Sequence, residues 1–264
     1  MSPDNVSEAR IWSAMKEEVH PAKGLWAVHH PPEGYPSGII PVPEPIKGRA
    51  FFPGGYGLWM DKEETKLPTF PVGGVMVLGH DFHSVSGYQT SWRLGYESLD
   101  MPTWKHLRRL LDTAGLPLKR CFFTNLYMGL RKGAATGKFP GANDPIFVRH
   151  CEAFLQHQID IQRPSLLLTL GKYVPTVLGR LSPDLGSWAA CRTFEQFDAI
   201  GAVRNCVRFN NVENFTTTVI VLTHPSLRPV NVPRRNFGGL QGDEAEVTML
   251  RRACSSILNK DPQE

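Results

Sequence analysis

Apolar positions along this chain fall into two recurring patterns. Short unbroken runs alternate with longer stretches in which apolar residues return every three or four positions. Gly74–Leu78 is an unbroken run that ends in Gly79, as a strand buried on both faces should read. Cys121-Phe122-Phe123-Thr124 predicts a second such strand. Ser165–Leu170, ending in Gly171, predicts a third, and Thr217–Leu222 the last of a parallel set; Val203–Phe209 is a candidate extra strand. Between them Trp104, Leu107, Leu110 and Leu111 share one helical face, bounded by Asp100 or Thr103 and by Gly115. Asp144 and Pro145 form a cap and first turn for a helix with Val148, Cys151, Leu155 and Ile159 inward, which Pro164 ends. A short helix over Tyr173–Leu181 and a closing one over Glu244–Leu258 complete the series. Strand and helix alternating in this way predict an α/β sandwich around a mainly parallel sheet.

The first 73 residues differ in kind. Ala9, Ile11, Trp12 and Met15 predict an opening amphipathic helix over Asn5–Val19. Ten of the chain's 22 prolines then lie between Pro21 and Pro71, a density that argues against regular helix and central strand. Leu25, Trp26, Phe51, Phe52, Tyr56, Leu58 and Trp59 are too apolar for a free linker. The expectation is an extended arm, residues 1–73, packed as one unit on an α/β domain spanning 74–264.

Composition narrows the picture modestly. The 264 residues are 41% hydrophobic and 20% charged, which excludes a disordered or collagen-like chain. No apolar run is long enough for a membrane-spanning helix. Met1-Ser2-Pro3-Asp4 has neither the basic start nor the apolar core of a secretory signal, so a cytoplasmic location is expected. A net charge of +4 names no polyanionic partner unless the basic residues cluster. Five cysteines, odd in number and without a C-x-x-C pair, read as buried small side chains, neither disulfides nor zinc ligands.

Ligands of open α/β sheets bind beyond the carboxyl ends of the strands. Four such ends carry Gly79-His80-Asp81-Phe82-His83, Thr124-Asn125-Leu126, Gly171-Lys172 and Thr223-His224-Pro225-Ser226. A carboxylate, an amide and imidazoles at successive strand ends make a shared site. Gly79-His80-Asp81, Phe122–Asn125, the helix leading into Leu166–Gly171, and His224-Pro225-Ser226 resemble, in this order, the uracil-DNA glycosylase superfamily. The resemblance covers roughly 74–231 and implies a three-layer sandwich with a central four-stranded parallel sheet. It also implies excision of a damaged base, uracil first, from single- or double-stranded DNA.

The resemblance places a water-activating, cation-stabilising carboxylate at Asp81, and at His224 a donor to the leaving base's carbonyl. Asn125, holding both a donor and an acceptor, suits the O4/N3–H edge of uracil and opposes cytosine. His80, Phe82 and His83 join the base pocket; His83 stands where one family carries a thymine-excluding tyrosine. Trp92 is the favoured stacking aromatic among Tyr88, Tyr96 and Phe82. Ser226, Leu227 and Arg228 follow His224 and suit entry into DNA, with Arg228, Arg234 and Arg235 as a phosphate clamp and Lys132 as a weaker one. Iron–sulfur members need four cysteines, of which only Cys151 is matched, so neither cofactor nor metal is expected. Other readings are a glycosylase for hypoxanthine, xanthine or mismatched thymine, a non-catalytic uracil or abasic-site binder, and a zinc hydrolase using His80, Asp81, His83 and His224. A monomer is expected.

Overall fold

In the computed structural model, which describes residues 20–61, 63–134 and 136–258, five strands form the central sheet. The helix expected over Asn5–Val19 lies outside the described residues. In chain order the main elements are α1 (Pro21–Val28), β1 (Val75–Asp81), α2 (Val85–Leu94), α3 (Pro102–Ala114), β2 (Cys121–Tyr127), α4 (Pro145–Gln162), β3 (Leu166–Leu170), α5 (Tyr173–Leu181), α6 (Phe194–Ile200), β4 (Val203–Val207), β5 (Thr217–Leu222) and α7 (Gly242–Leu258). The strand order is β2-β1-β3-β5-β4. The first four strands are parallel, as expected from their continuous apolar runs. β4 is the extra strand and joins antiparallel at the edge, its ladder interrupted between Arg204 and Val207.

Local chemistry accounts for most helix ends. Asp144 caps α4 by accepting from the Ile146 and Phe147 N–H groups, with Pro145 at the first helical position. α3 starts one residue from expectation. Met101 precedes Pro102 there, no side chain caps it, and Gly115 closes it in the left-handed region. The Pro-rich segment does contain a helix, contrary to expectation. Pro21 stands at the first turn of α1, where a missing N–H costs nothing, and His20 accepts from the Ala22 N–H. α2 and α6 were not foreseen either; both are short, and their apolar faces are narrow.

The arm lies along the open edge of β2. Phe52 N–H donates to the Phe123 carbonyl (2.9 Å), and Phe123 N–H donates to the Gly57 carbonyl (2.7 Å). Gly57 sits at φ +71°, and a Cβ there would lie 2.6 Å from the Phe123 oxygen, so only glycine permits this approach. Further on, Ile39–Ile40 pairs antiparallel with Leu130–Arg131. Backbone pairing of this kind covers an edge that would otherwise present unpaired groups. Phe51, Phe52, Leu58 and Phe70 share one buried apolar cluster with Phe122, Phe123, Trp104 and the sheet interior.

Candidate active site

β1 and β2 run in register, so Gly79 faces Asn125 and Asp81 faces Tyr127 at their carboxyl ends. The absence of a side chain at Gly79 makes room for the Asn125 amide: a Cβ there would lie 2.3 Å from Asn125 Oδ1. Asn125 is buried, and its Nδ2 donates to the Phe52 carbonyl of the arm (3.0 Å). The arm thereby sets which way the amide points.

Asp81 is the centre of the arrangement. Its carboxylate accepts from Arg131 in a two-pronged pair, Nε to Oδ1 at 2.9 Å and Nη2 to Oδ2 at 2.8 Å. His80 Nδ1 donates to Oδ2 at 2.8 Å, and the His83 backbone N–H donates to Oδ1 at 3.2 Å. Burial alone disfavours the charge, but hydrogen bonds from Arg131 and His80 outweigh it and hold the carboxyl well below the usual carboxylate range. Arg131 is itself buried and spends its other N–H groups on the carbonyls of Thr136, Gly137 and Lys138. Sequence reasoning passed over Arg131 in favour of Lys132. The available signal was a cation directly after the apolar run Leu126–Leu130, where only a buried anion could accommodate it.

His224 stands across from this group at the end of β5. The Ser226 backbone N–H donates to His224 Nδ1 (3.3 Å), and the Ser226 hydroxyl lies 2.8 Å from the same nitrogen. With Nδ1 accepting, the neutral ring carries its proton on Nε2. Burial first, and then the charge of His80, push its pKa down to about 4 against the opposing pull of Asp81, so the ring is neutral near pH 7. His106 on α3 supports the loop by bonding the Pro225 carbonyl (2.7 Å). Tyr173 at the start of α5, also unforeseen, brings its exposed ring to 5.3 Å from that of His80.

Other expected site residues are placed differently. Phe82 is buried, its ring filling the space over Gly54, where a Cβ would lie 1.7 Å from Cζ, and it meets Tyr88 edge-on. It is therefore packed against the arm at Gly54. His83 adopts φ 103°; its ring lies over Gly87, with Nδ1 3.2 Å from the Ser84 hydroxyl, so it is turned onto the first turn of α2. Trp92 stacks on Tyr88 along α2 and is exposed, and no ring contact joins it to His80 or His224 among the described residues.

The basic segment after His224 divides. Ser226, Leu227 and Arg234 are exposed, Leu227 at 53%. Arg228 and Arg235 are buried and ion-paired, which corrects the three-arginine clamp. Arg228 bonds Asp243 and Glu246; Arg235 pairs with Asp198 (2.8 Å) and Glu246 (3.2 Å) and donates to the Val221 carbonyl (2.9 Å). Their acids come from α6 and α7, outside the acid-free window seen in the sequence. Glu246 also accepts from the Thr223 N–H (2.7 Å), fixing the residue before His224. Among the described residues no three His, Cys, Asp or Glu side chains are grouped to hold a metal, and Asp81 already has Arg131 as its cation, against the zinc reading. Four cysteines are buried and Cys206 is exposed; all five are free thiols. No described helix is long and apolar enough to cross a membrane.

The sequence profile of the Uracil DNA glycosylase superfamily matches residues 88–237, more than half of the chain. The chain belongs to this superfamily. It is thus a glycosylase-type repair enzyme whose partner is DNA. The matched segment holds Asn125, Arg131 and His224 and begins after His80 and Asp81, which the pairing of β1 with β2 brings beside Asn125. The central sheet agrees with the fold the superfamily implies, with one strand more than the four expected. No curated protein matches the chain.

Proposed function

We propose that this glycosylase flips uracil out of DNA and hydrolyses its N-glycosidic bond, leaving an abasic site. The observation that carries the reading is that an ionised carboxylate, Asp81, and a neutral imidazole bearing Nε2–H, His224, lie within electrostatic reach of each other at the strand ends. Breaking a glycosidic bond leaves positive charge on the sugar and negative charge on the base. Asp81 faces the first and His224 donates to the second, so both ends of the developing dipole meet a preorganised partner. Asn125, its amide oriented by the Phe52 carbonyl, supplies the donor and acceptor that match uracil's O4 and N3–H. Exposed Ser226 and Leu227 suit the gap left by a flipped base, and Arg234 a flanking phosphate. The enzyme works as a monomer in this reading, and its preference is for uracil-containing DNA.

Labelled oligonucleotides carrying uracil, hypoxanthine, xanthine or a thymine mismatch, single- and double-stranded, test this directly. Alkali-sensitive scission is expected at uracil and is expected to fall by at least about 100-fold in Asp81→Asn and Asn125→Ala. Asn125→Asp should admit cytosine. Scission confined to a purine lesion, or undiminished in both variants, would remove the assignment.

A further inference from the structure

We propose that His80, oriented by Asp81 and Arg131, takes the proton from the attacking water, while Asp81 itself does not. The inference rests on the glycosylase reading above and concerns how that site works. A carboxylate offers about four lone-pair positions in its plane. In Asp81 all four are occupied: Oδ1 by Arg131 Nε and the His83 N–H, Oδ2 by Arg131 Nη2 and His80 Nδ1. A water molecule could bind this carboxylate only by displacing one of those bonds, two of which join opposite charges. Arg131 is not free to swing away, because its five N–H groups are divided between Asp81 and the carbonyls of Thr136, Gly137 and Lys138.

His80 is left with the opposite arrangement. An ionised carboxylate can only accept, so Nδ1 carries the proton and the neutral ring presents a bare lone pair at Nε2. No group among the described residues bonds that nitrogen, although the side chain is only 15% exposed. The ring is held edge-on against Tyr127 (5.2 Å) and tilted against Tyr173 (5.3 Å). The step balances simply. The water oxygen bonds the sugar's anomeric carbon and its proton passes to His80 Nε2. The carbon–nitrogen bond breaks with its electron pair going to the base, whose new negative charge accepts a hydrogen bond from His224 Nε2–H. The imidazolium, stabilised by Asp81, then returns its proton to solvent. Asp81, Tyr127, Tyr173 and His224 face His80, with Arg131 and Lys172 one contact further out.

The test is single-turnover uracil release across pH 5–9 by the full chain, as wild type, Asp81→Asn, His80→Gln and His80→Ala with and without added imidazole. Direct catalysis by Asp81 and relay through His80 both predict a dead Asp81→Asn. The His80 variants separate them. His80→Gln should lose at least about 100-fold in rate with unaltered DNA binding, and imidazole should restore part of the rate in His80→Ala. A His80→Gln enzyme that keeps a tenth of the rate overturns the inference and leaves the glycosylase reading standing. A wild type that releases no uracil overturns both. Nitrogen-15 NMR of the wild type gives a check that needs no variant: the neutral His80 ring should be protonated at Nδ1, and an Nε2–H tautomer would sink the proposal.

Discussion

Arg131 is the side chain on which the geometry of Asp81 depends most. Both groups are buried, and the pair spans the fifty residues between the end of β1 and the segment beyond β2. A buried ion pair contributes little over an apolar pair, but deleting one partner strands the other charge. Arg131→Gln should therefore lower stability by about 3–5 kcal/mol in urea denaturation and release the loop at 136–138. Its sign with pH is equally definite. Asp81 titrates below its unfolded value, so its contribution is present above that value and lost only as pH falls through the lower folded one. In wild type that loss is confined to strong acid; in Arg131→Gln it should begin at higher pH. The strand-end placement of Asp81, Asn125 and His224 was legible in the sequence because each lies at or just beyond the end of an unmistakable apolar run. Arg131 was not, because nothing local reveals which anion it meets.

At the scale of elements, the segment after β5 shows how far a charge count can mislead. Arg228, Arg234 and Arg235 look alike in sequence, with no acid among them. In the fold, α6 and α7 bring Asp198, Asp243 and Glu246 to two of the three. Arg234 alone stays outward. Arg234→Ala should weaken DNA binding and reduce the slope of log K against log salt by about 1, with unchanged melting. Arg235→Ala should leave that slope in place and destabilise the protein, because Asp198 and Glu246 lose their buried partner. Salt-titrated binding and thermal unfolding of the two variants distinguish the roles. The arm is the other element whose task was hidden. Its prolines and glycines predicted extended chain, which holds beyond α1, but not that Phe52 and Gly57 would pair with β2 or that Phe52 would hold Asn125.

Across the whole molecule, groups that titrate lie where the arm meets the helices. His29 is buried, donates from Nδ1 to the Trp26 carbonyl (2.6 Å), and leaves Nε2 without a partner among the described residues. Its own backbone carbonyl lies 3.0 Å from His150 Nε2 on α4. Burial pushes its pKa down to about 4, opposed by the Trp26 carbonyl and assisted by His30 and His150. The folded value lies below the unfolded one near 6.5, so the unfolded chain binds more protons in between. Stability on this account is full above about pH 6.5 and falls as pH drops toward 4. His224 adds a loss of the same sign. Glu97 acts the other way. Burial raises it to about 7 although Trp104 and Arg49 favour its charge, so its contribution is present in acid and lost as pH rises through 7. His29→Phe should flatten the decline in melting temperature between pH 6.5 and 4, and a wild-type decline that persists in the variant would assign it elsewhere.

By itself the order of apolar and polar residues determined the alternation of strand and helix, the parallel sheet and the row of reactive side chains at its carboxyl edge. These follow from local periodicity, because a run buried on both faces or a face repeating every 3.6 residues can satisfy its backbone in one way only. Tertiary structure alone decided which neighbour each reactive group received. It gave Asp81 a cation and oriented its neighbouring imidazole, packed Phe82 over Gly54 and the His83 ring over Gly87, buried two arginines and laid the arm on β2. The pairings of Asp81 with Arg131, of Arg235 with Asp198 and of Phe52 with β2 join residues tens of positions apart, and strand register and helix packing, which no local pattern encodes, choose among them.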